Sequence, residues 1–242
     1  MPGTNLTRDE AQTRAGLIDV DSYIIELDLT TSDQTFRSTT TIAFRCNQPG
    51  ASTFVDLVGA TVHRITLNGA ALDPAETYAD SRILLDGLGA DNVLVVDADC
   101  TYSNSGEGLH RFVDPVDDRV YLYSQFEVPD ARRVFTTFEQ PDLKSVFTFH
   151  VTAPEHWKVV SNAPTPAPEP LGDGKAVWRF PTTRKMSTYI TAIVAGEYHE
   201  VQHVFHGEHG DIPLGHYCRQ SLVEHLDVEE LVKLTEQGFA FF

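Results

Sequence analysis

The chain has 242 residues, 41% hydrophobic and 22% charged, which is ordinary for a globular fold and leaves room for one large all-β domain or two smaller ones. Its formal charge of −17 excludes nucleic acid and anionic membrane surfaces as expected partners, because both demand basic patches, and leaves cationic ligands admissible. Three scattered cysteines (Cys46, Cys100, Cys218) without a CxxC pair, an N-terminal MPGTNLTRDEAQTRAG without an apolar core, and no run of bilayer length predict a soluble cytoplasmic protein without signal peptide or membrane span.

Thr7 with Glu10 forms a capping-box pattern ahead of EAQTRAGLI, predicting a short opening helix. The period then changes to two. In DSYIIELDLT, Tyr23, Ile25, Leu27 and Leu29 share one face, as in a half-buried strand. Strand candidates follow at short intervals: STTTIAFRC, STFVDLV, HRITLNG, SRILLDG, NVLVVDADCTY, RVYLYSQF, KSVFTFHVTA, WKVVSNA, AVWRFPTT and STYITAIVAGEY. Asn68-Gly69 is the strongest hairpin signal, and PTPAPEPLGDG at 164–174 reads as a loop. Many short strands without long helices between them predict antiparallel sheets packed on each other. From residue 221 the pattern turns helical, with Val228, Leu231, Val232, Thr235 and Phe239 on one face and Asp227 with Glu230 as the capping pair. A helical pattern that stops at Phe241-Phe242 without Gly, Pro or a basic turn is expected of the front part of a longer protein.

The segment YLYSQFEVPDARRVFTTFEQPDLKSVFTF, residues 121–149, packs Gln125, Glu127, Arg132, Arg133, Glu139 and Asp142 among aromatic residues between two β-like runs. Such density predicts a loop held against a core, the usual place for binding groups on a rigid scaffold. This segment resembles the block of aminopeptidase N (M1 family) zinc aminopeptidases that reads roughly TQFEPxDARRxFPCFDEPxxKAxF. GEGLHRF (106–112), VVSNAP (159–164), MSTYITAIVAGEY (186–198) and LTEQGFAFF (234–242) match in the same order, most like bacterial cytosolic members.

The resemblance implies a mainly β protein: an antiparallel β-sandwich or saddle domain over 1–200, then over 201–242 the opening strands and helix of a truncated thermolysin-like catalytic domain. The GxMEN strand and the HExxH…E zinc helices of the family would lie downstream of Phe242, so no catalytic residue and no metal ligand is expected in this chain. It further implies zinc in the full-length enzyme with none bound here, peptides with a free N-terminus as substrates, and the downstream catalytic domain as partner. Carried over residue by residue, Glu127 becomes the anchor for the substrate α-amino group and Gln125 a neighbour lining the first side-chain pocket. Where many members show FDEP, this chain has Phe138-Glu139-Gln140-Pro141, and Glu139, Asp142, Arg132 and Arg133 are expected to form a structural ion network.

His199-Glu200-Val201-Gln202-His203 also spells HExxH, a zinc motif that works only on a helix, where i and i+4 share a face. Residues 188–206 are β-branched and aromatic, with a turn expected at Glu208-His209-Gly210-Asp211, so a strand is predicted there. On a strand the two histidines stand about 13 Å apart, too far to share one metal. A metalloprotein using His199 and His203 would require a helix over 197–206. Cys218 beside His216 reads as a buried structural cysteine, as do Cys46 and Cys100. The alternative to an aminopeptidase portion is a stand-alone, non-catalytic β-sandwich binding module.

Overall fold

The computed structural model describes residues 5–208 and 210–242. Helix α1 (Arg8–Leu17) opens on the expected capping box, Thr7 Oγ1 accepting from the Glu10 N–H and the Glu10 carboxylate accepting from the Thr7 N–H. Strands β1 (Ile18–Asp28), β2 (Thr35–Cys46), β3 (Thr53–Asp56), β4 (Thr61–Leu67) and β5 (Ala70–Leu72) follow. Asn68 and Gly69, at φ 54° and 82°, make the tight β4–β5 turn that only residues tolerant of left-handed backbone allow. One helical turn, α2 (Pro74–Thr77), leads to β6 (Tyr78–Ala79), β7 (Arg82–Leu85), β8 (Asp91–Thr101), β9 (Gly108–Val113) and β10 (Val120–Gln125). Then come β11 (Val146–Pro154), β12 (Lys158–Ser161), β13 (Glu169–Gly172), β14 (Lys175–Arg179) and β15 (Ile193–Gly196). The hairpin β16 (His199–Gly207) and β17 (Gly210–Cys218) precedes α3 (Val228–Phe241), whose N-cap Asp227 accepts from the Glu230 N–H at 3.0 Å. The turn expected at 208–211 includes His209, which lies outside the described residues.

An eight-stranded sheet, in the order β13-β14-β11-β1-β2-β8-β4-β5, forms one wall. Against it pack a four-stranded sheet, β12-β15-β10-β9, and a three-stranded one, β3-β7-β6. The alternation of β1 decides which way it faces: Tyr23, Ile25, Leu27 and Leu29 are buried, while Ile24 on the other face is 41% exposed. Phe147, Phe149 and Val151 of β11, Leu122 of β10 and Ile83 of β7 join the same hydrophobic cluster. Tyr23 stacks on Phe147 at 4.9 Å, and Phe135 meets Tyr23, Phe126 and Phe149 edge-on. No helix among the described residues is long and apolar enough to cross a membrane.

The antiparallel expectation holds with one exception, and two others need correction. The sheets are mainly antiparallel, but β1 and β11 pair in parallel, Ser22 opposite Val146 through Asp28 opposite Thr152. This is possible because β2 to β10 and the segment after them supply the long crossover that parallel pairing demands. The Pro/Gly stretch at 164–174 contains β13, which turns back on β14 through Asp173 and Gly174, both at positive φ. STYITAIVAGEY is not one strand: Thr188–Ile190 is a 3-10 turn and only Ile193–Gly196 is β. There the Thr191 hydroxyl donates to the Thr188 carbonyl at 2.7 Å, a local bond that competes with a ladder.

Candidate functional site

Strand β10 delivers the candidate residues. Tyr121, Tyr123 and Gln125 lie on one face of it, opposite Phe112, His110 and Gly108 of β9 respectively. Gln125 ends the strand, and the chain turns through Glu127, Val128, Pro129 and Asp130, with a cis peptide between Val128 and Pro129. Phe126, 2% exposed, plugs the core beneath the turn, while Gln125 and Glu127 on either side of it are exposed. The turn is closed from within: Gln125 Oε1 accepts the Glu127 N–H at 2.8 Å, and the Asp130 N–H donates to the Phe126 carbonyl at 3.2 Å. Both expected residues are therefore brought together, and Gln125 spends its carbonyl on fixing the backbone of Glu127.

The 3-10 turn Ala131–Arg133 grips this loop with two guanidinium groups. Arg132 Nε donates to the Pro129 carbonyl at 2.9 Å, and Arg133 Nε to Asp130 Oδ1 at 2.7 Å. Arg133 Nη2 also pairs with Glu107 at 3.0 Å, in the loop that leads into β9. Beyond them Phe135 and Phe138 are fully buried, so the exposed turn stands on a rigid base.

The predicted ion network of Arg132, Arg133, Glu139 and Asp142 resolves differently. Arg133 pairs with Asp130 and Glu107, and Asp142 is exposed. Glu139 is 4% exposed and accepts hydrogen bonds from the Arg132 backbone N–H at 2.9 Å and the Thr188 hydroxyl at 2.5 Å. Burial pushes its pKa up to about 7, against the pull of those two bonds. The Glu139 N–H donates to Asp56 Oδ2 at 3.2 Å, and that oxygen also takes Arg14 Nη1 at 3.0 Å. Arg14 Nε in turn donates to Gln140 Oε1 at 3.0 Å. Arg14 and Asp56, 2% exposed each, escaped the sequence reading. The available signal was that Arg14 shares the inner helix face with Leu17, three residues on.

On the face of β9 and β10, a hollow of about 520 Å³ is lined by His110, Phe112, Tyr121, Tyr123, Tyr198 and Tyr217, among others. The His110 and Tyr123 rings meet at 4.8 Å and those of Tyr121 and Tyr198 at 5.0 Å. Arg219, which also lines it, is held by Asp114, which accepts from Arg219 Nη1 at 2.8 Å and from Ser221 Oγ at 2.6 Å. The Ser221 hydroxyl first, then the backbone and Arg219, hold the Asp114 carboxyl below its ordinary range.

HEVQH lies on β16, as predicted, in an antiparallel hairpin in which His199 faces Cys218 and His203 faces Leu214. The i and i+4 histidines of a strand are about 13 Å apart, so this pair does not fit a zinc ion. His203 Nε2 instead meets Glu236 Oε1 of α3 at 3.1 Å, and Glu200 takes Tyr217 Oη at 2.8 Å and Lys158 Nζ at 2.8 Å. Among the described residues no three His, Cys, Asp or Glu side chains are grouped to hold a metal. Cys46 and Cys100 are buried as expected, but Cys218, which ends β17 and lines the hollow beside Tyr217, is only half-buried.

The architecture is thus a β-rich scaffold that presents a braced, polar turn. The profile of the peptidase M1 N-terminal domain matches residues 20–190. Aminopeptidase N of Streptomyces lividans is 56% identical over 245 residues, covering 100% of this chain and 28% of the relative. Aminopeptidase N of Acetobacter pasteurianus is 40% identical over 103 residues (43% of this chain, 28% of the relative). "Probable aminopeptidase 1" of Saccharolobus solfataricus is 37% identical over 93 residues, 38% of this chain and 12% of the relative. The chain belongs to the M1 peptidase family and carries its N-terminal domain. It spans little more than a quarter of the Streptomyces relative's length.

Proposed function

We propose that this chain is the N-terminal portion of a cytoplasmic zinc-dependent aminopeptidase that releases N-terminal residues from peptides, and that Glu127 anchors the substrate's α-amino group. The observation that carries the reading is the exposed Gln125–Glu127 pair on a turn whose backbone is fixed by Gln125, Arg132 and Arg133. A carboxylate held so makes a charge-assisted hydrogen bond to an ammonium, and the bond strengthens once the remaining polypeptide shields it from water. Blocked N-termini bring no such charge, so the site selects exopeptidase over endopeptidase action. Gln125, pointing to the same end of β10, lines the pocket for the first side chain.

Residues 1–200 are the N-terminal sandwich and 201–242 the start of the catalytic domain. The profile match ending at residue 190 and the separate hairpin beginning at His199 support a boundary in that region. Zinc, held by residues outside this chain, would activate the water that attacks the first peptide bond. The 242 residues alone are then catalytically silent. The three free cysteines support the cytoplasmic placement.

The test is kinetic. In the full-length enzyme, Glu127→Ala should lower kcat/KM for free-amine dipeptides by about a hundredfold, the effect of removing one partner of a shielded charge pair. An unchanged kcat/KM would remove Glu127 from the site.

A further inference from the structure

We infer that Arg133 is a positioning residue for the amine anchor: its guanidinium pins the Glu127-bearing turn to the neighbouring loop and so sets where the Glu127 carboxylate stands. The inference rests on the reading of Glu127 given above. Its geometry is independent of that reading. Nε binds Asp130, the last residue of the turn, at 2.7 Å, while Nη2 binds Glu107 at 3.0 Å. The two arms of one planar group thus hold two chain segments at a fixed separation, which a flexible lysine ammonium would not do.

The stem of Arg133 is located as well. Gly108 sits at φ +62°, and a Cβ placed on it would stand 3.0 Å from Arg133 Cβ and 3.2 Å from its Cδ. The missing side chain is what lets the arginine lie flat on the start of β9. Gly108 is in turn the cross-strand partner of Gln125, whose Oε1 holds the Glu127 N–H. Arg133 therefore binds the far end of the anchor turn directly and lies against the cross-strand partner of the residue that opens it. The loop it grips is itself braced, since the Ser103 hydroxyl donates to the Glu107 carbonyl and the Gly106 N–H to His110 Nδ1 at 3.1 Å.

Arg133 is 40% exposed and Glu107 54%, so these ion pairs add little to global stability. What they supply is direction, and a small displacement of a binding group costs far more in rate than in folding. The same argument separates Arg133 from Arg132, which is buried and bound into the base of the loop.

The experiment is a double-mutant cycle in the full-length enzyme, with kcat and KM measured on a free-amine dipeptide for wild type, Arg133→Ala, Glu127→Ala and the double variant. Arg133→Ala should lower kcat/KM about tenfold, chiefly through KM, with a thermal midpoint within about 2 °C of wild type. In the Glu127→Ala background the same change should cost less than about twofold, because there is no anchor left to place. Glu107→Gln, which removes one arm at an exposed site and cannot disturb the core, should give about a threefold loss that likewise vanishes without Glu127. An equal loss in both backgrounds, or no loss from either Arg133→Ala or Glu107→Gln while Glu127→Ala is impaired, overturns the positioning role alone. A fully active Glu127→Ala overturns the anchor and this inference together.

Discussion

Glu139 shows what one buried carboxyl contributes. It is sealed under the candidate turn, joins the Arg132 backbone to Thr188, and has its pKa raised by burial to about 7. A carboxyl with a raised folded-state pKa favours its protonated form in the fold. Its contribution is therefore complete below the ordinary carboxyl range, near pH 4.5, and is lost as pH rises through about 7. Denaturant unfolding of wild type and Glu139→Gln at a series of pH values checks this. Wild type should lose on the order of 3 kcal/mol more than the variant between about pH 4.5 and 8, since every tenfold difference in proton affinity between the folded and unfolded chain is worth about 1.4 kcal/mol. Parallel profiles would show that Glu139 is not titrating in that window. Sequence placed Glu139 in a structural network with Arg132, whose backbone N–H it does accept, but missed Thr188, Asp56 and, through Asp56, Arg14, because they lie 49, 83 and 125 positions away and no periodicity links them.

Among the elements, those defined by local rules were legible: the Thr7–Glu10 box, the Asn68-Gly69 hairpin, the alternating strands and the Asp227 cap all read directly from side-chain pattern. Those defined by long-range partners were not. Nothing in β1 or β11 announces parallel pairing, and the Thr188–Ile190 turn interrupts a segment whose β-branched composition favours a strand. Gly196 is a third case, since its role depends on a neighbour distant in sequence. At φ +148° it closes β15 against β10, where a Cβ would stand 2.5 Å from the Val120 carbonyl oxygen and 3.0 Å from Tyr121 Cα. Gly196→Ala should destabilise the chain by more than about 2 kcal/mol, read from its urea midpoint, and splay the strand that ends in Gln125. An unshifted midpoint would mean that the two strands are not so close.

At the scale of the whole molecule, the family, the mainly β architecture and the order of matching segments were all visible in the 121–149 block and its companions, and the M1 N-terminal match over 20–190 agrees. Gln125 and Glu127 do fall together at the end of one strand, and both are exposed; under the proposed function this chain would form one wall of the cleft. The shielding that makes an ammonium–carboxylate bond selective would come from the rest of the polypeptide, and amine recognition is then a property of the assembled enzyme. The most direct test is the ratio of inhibition constants of an amino-acid amide and its counterpart lacking the α-amino group, measured on full-length wild type and Glu127→Ala. Wild type should bind the amine-bearing compound at least about thirtyfold better, and the preference should collapse to near unity in Glu127→Ala. A preference that survives the substitution intact would contradict Glu127 as the amine anchor.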